Sequence, residues 1–195
     1  MSTKGTKTTC SGMEWNTMMG LLARLKNDGK LREYLLIATG CYFGLRIGDL
    51  LSLKWEDILE KDEFYITESK TGKQRKITIN RFVKEAIKYG ADTLTQKGIF
   101  NPQRYIFCNK HGNKLSRQFI NLLLQDITRD YSIKLQNPST HTLRKTFGKR
   151  VWESDNKSER ALVYLSEIFS HSSLAVTKRY IGITDKVIAD VYLKL

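Results

Sequence analysis

Four side chains in the last third of the chain have types and spacings suited to phosphate chemistry. His141 and Arg144 are separated by three positions, so a helix would place both on one face. His171 and Tyr180 follow near the ends of the next predicted helical stretches. A guanidinium matches phosphate oxygens, an imidazole hydrogen-bonds or moves protons, and a phenol can attack phosphorus. These residues therefore predict a site for a phosphodiester.

Two further cations stand earlier in the chain, where a fold could bring them to the same site. Arg46 falls at the junction of two predicted helices with apolar residues on both sides, which predicts a position near the core. Its alternative role is to hydrogen-bond loop carbonyls or to pair with Asp49, which we expect to orient a neighbouring side chain. Lys70 lies on the tip of a predicted hairpin. A lysine there is usually only solvated, and it gains a function only if a phosphate site lies within reach.

Each of the later candidates also has a structural interpretation when it is taken alone. His141 and His171 are equally well explained as a helix-start and a loop histidine, and Arg144 as a surface arginine. Tyr180 has the alternative of a buried aromatic residue whose hydroxyl finds one partner. Only their joint presence, together with the charge of the chain, favours one shared site.

The chain is strongly basic, with 33 Lys and Arg against 20 Asp and Glu, a formal net charge of +13 and a pI near 9.7. Such an excess favours a nucleic-acid partner over the alternative of a basic surface kept for solubility. The longest apolar run, 34–45, is shorter than the roughly 20 residues of a membrane span, so no membrane partner is expected. Cys10, Cys41 and Cys108 have no paired spacing, so we expect neither a disulfide nor a metal site. Reduced thiols favour a cytoplasmic location.

Hydrophobic periodicity predicts a mainly α (α+β) fold, a helical bundle with one small antiparallel β-hairpin. Ser11 and Glu14 have the form of a capping box for a helix over 13–27. Further helices are predicted over 31–44, 81–89, 116–131 and 159–169, from 138–140 onward, and in a short stretch running into Tyr180. The hairpin pairs 64–68 with 75–79, 90–104 is expected to be a polar loop, and a short strand is predicted over 105–108.

In order and spacing these motifs resemble the catalytic domain of the tyrosine recombinases, the phage integrase family. Gly44-Leu45-Arg46 followed by Asp49 is similar to the family's first arginine box, and Ser69-Lys70-Thr71-Gly72 to the hairpin that bears its lysine. His141-x-x-Arg144 resembles the second arginine box, and His171 and Tyr180 follow where the family has its later histidine and its nucleophile.

The resemblance covers 12–183, between a predicted flexible tail over 1–11 and a predicted C-terminal helix over 184–195. That helix is expected to pack in cis or on a neighbouring protomer. The sequence departs from the family's pattern at Ser170, where a glycine is usual, and at Ile47-Gly48, where a serine or threonine commonly stands. A counterpart of the family's separate core-binding domain is also missing from the sequence, so tight site-specific binding is not expected of this chain alone.

The family chemistry implies an enzyme that cleaves and rejoins DNA through a 3′-phosphotyrosine, with no cofactor and no metal ion. Tyr180 would attack, His141 would accept its proton, and His171 would donate to a nonbridging oxygen. Arg46 and Arg144 would offset the charge that develops on the phosphate. From their charge we also expect these arginines to lower the pKa of the phenol by about 1 to 3 units.

Lys70 would then protonate the departing 5′ oxygen, with Asp49 in a supporting role. The expected partner is double-stranded DNA, bound by a homo-oligomer, a tetramer in the family, although a catalytic domain by itself is compatible with a monomer. The basic residues expected to contact DNA are Lys73, Arg75, Lys145, Lys178 and Arg179. Two alternatives stay open: a type IB-like topoisomerase with the same chemistry, and a non-enzymatic DNA-binding regulator that keeps the fold.

Overall fold

Helices make up most of this computed structural model, which describes residues 10–183 and Leu193. The helices of the described part are α1 (Trp15–Asn27), α2 (Leu31–Phe43), α3 (Ile47–Leu50), α4 (Trp55–Ile58), α5 (Arg81–Gln96), α6 (Arg117–Asp130), α7 (Thr140–Ser154), α8 (Glu159–Phe169) and α9 (Leu174–Ile181). The two strands are β1 (Glu63–Thr67) and β2 (Gln74–Thr78), which pair antiparallel. The mainly helical fold with one small hairpin is therefore confirmed. Residues 1–9 of the tail predicted over 1–11 and, apart from Leu193, the predicted helix over 184–195 lie outside the described residues.

Helix α2 lies at the centre of the core, where it contacts α1, α5 and α7. Its side chains are buried on every side because the sequence from 34 to 41 is almost wholly apolar, and such a helix is stable only inside a protein. Thr39 fits because its hydroxyl donates to the Leu35 carbonyl at 2.7 Å. A Cβ at Gly40 would lie 2.6 Å from Leu143 Cδ1, so the glycine permits the close approach of α7.

The start of α7 is capped as the sequence predicts. Ser139 Oγ accepts from the His141 amide at 3.3 Å, and the Ser139 amide donates to Thr142 Oγ1 at 3.1 Å. The helix therefore begins at Thr140, and His141 and Arg144 fall in its first turns. Since α7 is docked on α2, these two side chains start from a fixed backbone.

The β-hairpin alternates between a buried and an exposed face. Phe64 and Ile66 of β1 are buried, and they pair with Ile77 and Arg75 of β2. The turn between the strands closes with hydrogen bonds from the Gly72 amide to the Glu68 carbonyl and from the Glu68 amide to the Lys73 carbonyl. The hairpin thus has a packed base and an exposed tip.

Two predicted helix boundaries are wrong. Helix α5 continues through Gln96 instead of ending at 89, because the buried stripe goes on through Ala91. The first half of the predicted loop over 90–104 is therefore helical. Helix α1 begins at Trp15, with Glu14 in the N-cap position but without a side-chain cap. Ser11, which we expected to form a capping box with Glu14, instead accepts from the Gln136 amide at 3.1 Å.

The prediction of a strand over 105–108 is also wrong. Tyr105 and Cys108 each form only an isolated β-bridge, with Lys54 and Lys114 respectively. Two bridges to different partners cannot make a ladder, so this segment follows the core surface as a loop. No helix among the described residues has the length and apolar character that crossing a bilayer requires.

Helix α9 packs against α7 and α8 at a point where α7 has no side chain. A Cβ on Gly148 would lie 2.9 Å from Ile181 Cγ2 and 3.0 Å from Phe169 Cε2. The glycine therefore allows the three helices to meet closely. This contact brings the end of α9, which carries Tyr180, next to the start of α7.

Candidate active site

One cavity of about 680 Å³ collects all six residues that the sequence singled out. They come from the segment before α3, the hairpin tip, α7, the α8–α9 turn and α9. The cavity is lined, among others, by Arg46, Lys70, His141, Arg144, His171 and Tyr180. Residues that are far apart in sequence thus share one concave surface.

Arg144 forms the buried floor of this cavity, with only 4% of its surface exposed. Its Nη1 donates to the Gly44 carbonyl at 2.6 Å and its Nη2 to the Phe169 carbonyl at 3.0 Å, while its Cζ lies 4.2 Å from the centre of the Phe169 ring. Burial lowers the pKa of Arg144 to about 10, so the side chain is still a cation at pH 7. It is not the surface arginine of the alternative interpretation.

Arg46 stands beside Arg144 and is more accessible, with 22% of its side chain exposed. Its Nη1 donates to Glu68 Oε2 at 2.6 Å, and its Nη2 donates to the Phe169 carbonyl at 3.0 Å. The carboxylate partner is therefore Glu68 and not Asp49. Asp49 Oδ1 instead accepts from the amide and the hydroxyl of Ser69, at 3.0 and 2.7 Å, so it anchors the hairpin next to the tip.

Arg75, which we expect to contact DNA, is held by main-chain carbonyls. Its Nη1 donates to the Ile168 carbonyl at 3.0 Å and its Nη2 to the Phe43 carbonyl at 3.1 Å, with Glu68 Oε1 3.9 Å from Nη1. Arg75 is not among the residues that line the cavity of the six candidates, and its guanidinium links the ends of α2 and α8. Its contact with DNA stays a prediction.

The C-terminal ends of α2 and α8 explain how three guanidinium groups can lie together. The last carbonyls of a helix have no partner within the helix and carry its negative dipole end. Here the carbonyls at these two ends accept hydrogen bonds from Arg46, Arg75 and Arg144. The unpaired carbonyls at the two helix ends thus stabilise three guanidinium groups close to one another.

Tyr180 lies over this cationic floor with its hydroxyl 3.4 Å from His141 Nδ1. Its ring contacts Phe169 and His171, with centroids 5.3 and 5.2 Å apart. Burial raises the pKa of Tyr180 to about 12, although Arg144 and Arg46 act in the opposite direction. The arginines thus act on this pKa in the expected direction, but desolvation of the phenolate outweighs their charge and the net change is a rise.

His141 is placed to take the phenolic proton. Burial, followed by the nearby positive charges of Arg117, Lys145, Arg144 and Lys70, lowers the pKa of His141 below 6.5. The imidazole is therefore neutral at pH 7 and has a lone pair available for a proton. A base at this distance is what a phenol with a raised pKa requires.

His171 is held by a threonine one turn before the tyrosine. Its Nδ1 lies 3.0 Å from Thr177 Oγ1, and that oxygen lies 3.4 Å from the Ser173 carbonyl. The shorter distance favours donation from the hydroxyl to Nδ1, which puts the ring proton on Nε2. Burial and then the charge of Arg144 lower the pKa of His171 to about 4. A neutral ring with an N–H on its free side can donate to a phosphate oxygen.

The remaining lysines and arginine of the expected DNA contacts lie around the cavity. Lys73 is exposed near the hairpin tip, and Arg179 is exposed on α9. Lys178 is half-buried on the same helix. Lys145 donates to the Cys10 carbonyl at 2.8 Å, and its Nζ lies 5.3 Å from the centre of the Tyr180 ring. These positions are compatible with contacts to a bound polyanion.

Three residues of the site escaped the sequence analysis. Glu68 accepts from Arg46, Thr177 contacts His171, and Arg117 lines the cavity beside His141. A signal existed for Glu68, because it continues the period-two face of Phe64 and Ile66 and should therefore point inward. For Thr177 and Arg117, no pattern within the sequence marks their contacts.

Comparison with known proteins agrees with this geometry. Residues 12–186 match the Phage integrase family. The chain is 34% identical over 170 residues to the probable integrase/recombinase YoeC of Bacillus subtilis, covering 86% of each protein. It is 30% identical over 173 residues to the tyrosine recombinase XerD of Oceanobacillus iheyensis, covering 87% of this chain but 54% of that protein. The chain thus spans about half the length of this second relative.

Solved structures share the fold. The crystal structure of XerA recombinase superposes with a TM-score of 0.69 at 20% identity, covering 97% of this chain and 66% of that one. The XerH site-specific recombinase bound to its difH substrate, a pre-cleavage complex, gives a TM-score of 0.69 at 18% identity, covering 98% of this chain and 56% of that one. At these identities the likeness concerns the arrangement of the chain.

Proposed function

Because the chain belongs to the phage integrase family, we propose that it is a site-specific recombinase that cleaves and rejoins DNA strands through a 3′-phosphotyrosine. The observation that carries the proposal is the seating of Tyr180 within 3.4 Å of His141 Nδ1, above two arginines in one cavity. We assign the activity to a single catalytic domain, residues 12–183.

The scissile phosphate would sit on Arg46 and Arg144. A guanidinium has five N–H donors, and the bonds to Glu68 and Phe169 leave further donors of Arg46 for phosphate oxygens. Two fixed cations stabilise the charge that builds on the equatorial oxygens during displacement, which is the main task in phosphoryl transfer. Nε2 of His171 would donate to one of these oxygens.

Cleavage then needs one bond formed, one bond broken and two proton transfers. Tyr180 Oη attacks phosphorus, and the bond from phosphorus to the 5′ oxygen breaks. The phenolic proton passes to His141, and Lys70 gives a proton to the departing 5′ oxygen. Because the phosphotyrosine keeps the energy of the original bond, a 5′ hydroxyl can reverse each step and rejoin the strand without a cofactor.

The covalent step is tested with a pool of nicked duplexes of randomised sequence. After cleavage near the nick, the short fragment with the 5′ hydroxyl diffuses away, so the strand cannot be rejoined and the covalent adduct accumulates. We expect a detergent-resistant adduct with the wild-type protein and none with Tyr180→Phe, which lacks the attacking oxygen. The matched control is Tyr164→Phe on α8, where the tyrosine is exposed at 53%. An adduct of undiminished yield in Tyr180→Phe would remove this residue from the proposed role.

The two alternatives differ in what happens after this step. A topoisomerase would relax a supercoiled plasmid without joining new ends, whereas a recombinase exchanges strands between two copies of a site recovered from the pool. A DNA-binding regulator would bind with a strong dependence on salt but form no adduct. The names of the relatives, integrase/recombinase and tyrosine recombinase, favour strand exchange. We propose that this exchange serves the integration or excision of a mobile element and is carried out by a homo-oligomer on DNA in the cytoplasm.

A further inference from the structure

Glu68 is a buried carboxylate at the edge of the candidate active site. Only 1% of its surface is exposed. It follows β1 on the strand's inward face and lines a neighbouring cavity that shares Ser170 and His171 with the candidate active site. Its Oε2 accepts three hydrogen bonds, from Arg46 Nη1 at 2.6 Å, Thr71 Oγ1 at 2.9 Å and Ser170 Oγ at 3.2 Å.

The three donors to Glu68 belong to three separate segments, each of which carries a cavity residue. Arg46 is itself one of them. Thr71 follows Lys70 in the hairpin turn, and Ser170 precedes His171 in the turn between α8 and α9. One carboxylate oxygen therefore ties together the first arginine, the lysine tip and the later histidine.

The charge of Glu68 is maintained by its surroundings. Burial by itself would raise the pKa of Glu68, but the hydrogen bonds from Arg46, Thr71 and Ser170 outweigh it and hold the pKa below its usual value. The carboxylate is thus ionised at pH 7. It is the negative charge nearest to Arg46, and Arg75 Nη1 lies 3.9 Å from its other oxygen. It offsets the repulsion among these guanidinium groups.

Ser170 gives an independent sign of this arrangement. Its φ is 50°, in the left-handed region that favours glycine. A side chain at this position is unfavourable for the backbone, yet its hydroxyl supplies one of the bonds to Glu68. The serine thus accepts backbone strain while linking the His171 turn to the carboxylate.

We propose that Glu68 is a positioning residue that holds Arg46, the hairpin tip and the His171 turn in the arrangement needed for cleavage. This role for Glu68 rests on the proposed function above. Glu68 does not touch the phosphate in this role. Its negative charge opposes binding of a polyanion, so it speeds the chemical step while weakening the affinity for DNA.

This opposition between rate and affinity gives a test in Glu68→Gln. At saturating DNA we expect adduct formation to slow by about 100-fold, because a small displacement of a catalytic group has an effect of that size. The dissociation constant for the same nicked duplexes should stay equal or fall. Glu68→Asp, which keeps the charge on a shorter side chain, should recover part of the rate. The matched control is Glu167→Gln, an exposed carboxylate by the neighbouring cavity, which should cleave at the wild-type rate.

A second variant tests the link to the histidine turn. Ser170→Gly removes the hydroxyl and suits the backbone, so it should fold, and cleavage should slow by severalfold. Combined with Glu68→Gln it should add little, because both changes break the same bond. If Glu68→Gln does not fold, Ser170→Gly alone still tests the proposal. An unchanged rate in Ser170→Gly would then overturn it.

A third measurement does not depend on activity. In nitrogen-15 spectra of the arginine side chains, the bonds of Arg46 to Glu68 and Phe169 should slow rotation of its guanidinium in the wild type, and Glu68→Gln should release it. Three results for Glu68→Gln would each contradict the proposal. They are cleavage at the wild-type rate, a loss of DNA affinity without a loss of rate, and Arg46 signals that do not change. If the wild type forms no adduct, the proposed function fails, and the Arg46 signals still decide whether Glu68 positions this side chain.

Discussion

The cations of the cavity are held in two contrasting ways. Arg144 is buried and bonded to the ends of two helices, at Gly44 and Phe169. Lys70 stands on the exposed hairpin tip, and among the described residues it has no hydrogen bond or ion pair. The comparison teaches that the floor of the site is set by folding, whereas folding alone does not fix the lysine, and we expect it to gain its position when DNA binds. Variants of the two should therefore separate stability from catalysis.

The largest effect is expected for Arg144→Ala, which should reduce both stability and activity. The change leaves the Gly44 carbonyl without its donor, which destabilises by roughly 1–3 kcal/mol, and leaves the Phe169 carbonyl with Arg46 alone, a lost bond of about 1 kcal/mol. We expect the free energy of unfolding to fall by about 2–4 kcal/mol and cleavage to fall at least about 100-fold. Urea unfolding measures the free energy of unfolding, and the rate of adduct formation measures cleavage. Arg117→Ala at the exposed rim is the control, with a stability change under about 0.5 kcal/mol. Equal stability in Arg144→Ala would show that the helix ends do not need the guanidinium.

Lys70→Ala should give the opposite separation, with loss of rate but unchanged unfolding. An acid that protonates a leaving group contributes roughly 100- to 10,000-fold. We expect a loss in that range for a normal 5′ oxygen, and little loss for a 5′ sulfur, which departs without an acid. Lys73→Ala on the same tip is the control and should affect binding more than rate. Equal slowing for oxygen and sulfur would indicate that Lys70 binds DNA instead of protonating the leaving group.

The smallest effect concerns His171, whose pKa is lowered first by burial and then by the positive charge of the floor. Its pKa is about 4 in the folded protein against about 6.5 in the unfolded chain. Between these values the unfolded state binds more protons, so stability is present above pH 6.5 and is lost as the pH falls toward 4. After allowance for solvent screening at this half-buried group, we expect wild type to lose roughly 1–2 kcal/mol more than His171→Gln between pH 7 and pH 4.5. Parallel urea unfolding at the two pH values measures this. Equal losses would place the imidazole in an environment without excess positive charge.

Much of the fold and the grouping of the site follow from local patterns. Ser139 and Thr140 before His141 predict the helix start that the structure has, and the alternation over 64–68 predicts the hairpin. The gathering of distant residues came from resemblance to a family, because periodicity places a residue on a face but does not say which faces meet. The end of α5 was missed because a stripe of small residues, such as Gly90 and Ala91, is weakly apolar.

Electrostatic properties were harder to predict than positions. The charges of Arg46 and Arg144 can be read from the sequence, but the burial that raises the pKa of Tyr180 to about 12 depends on packing by remote residues. Arg75 shows the same difficulty in another form. The inward direction of its side chain follows from the alternation of β2, yet we expected it to contact DNA because of its charge. A period-two reading would have placed both Glu68 and Arg75 on the buried face.

The hydroxyl of Tyr180 has its place beside His141 because position 148 carries no side chain. Gly148 lies where any side chain would press on Ile181, the residue next to Tyr180. With even one added carbon, we expect the last turn of α9 and the Phe169 ring to be pushed away from α7, so that the phenol retreats from His141. Under the proposed function, we expect such a chain to bind DNA but to cut it more slowly. Backbone spacing thus decides, together with the polar groups, whether this site can act on a strand.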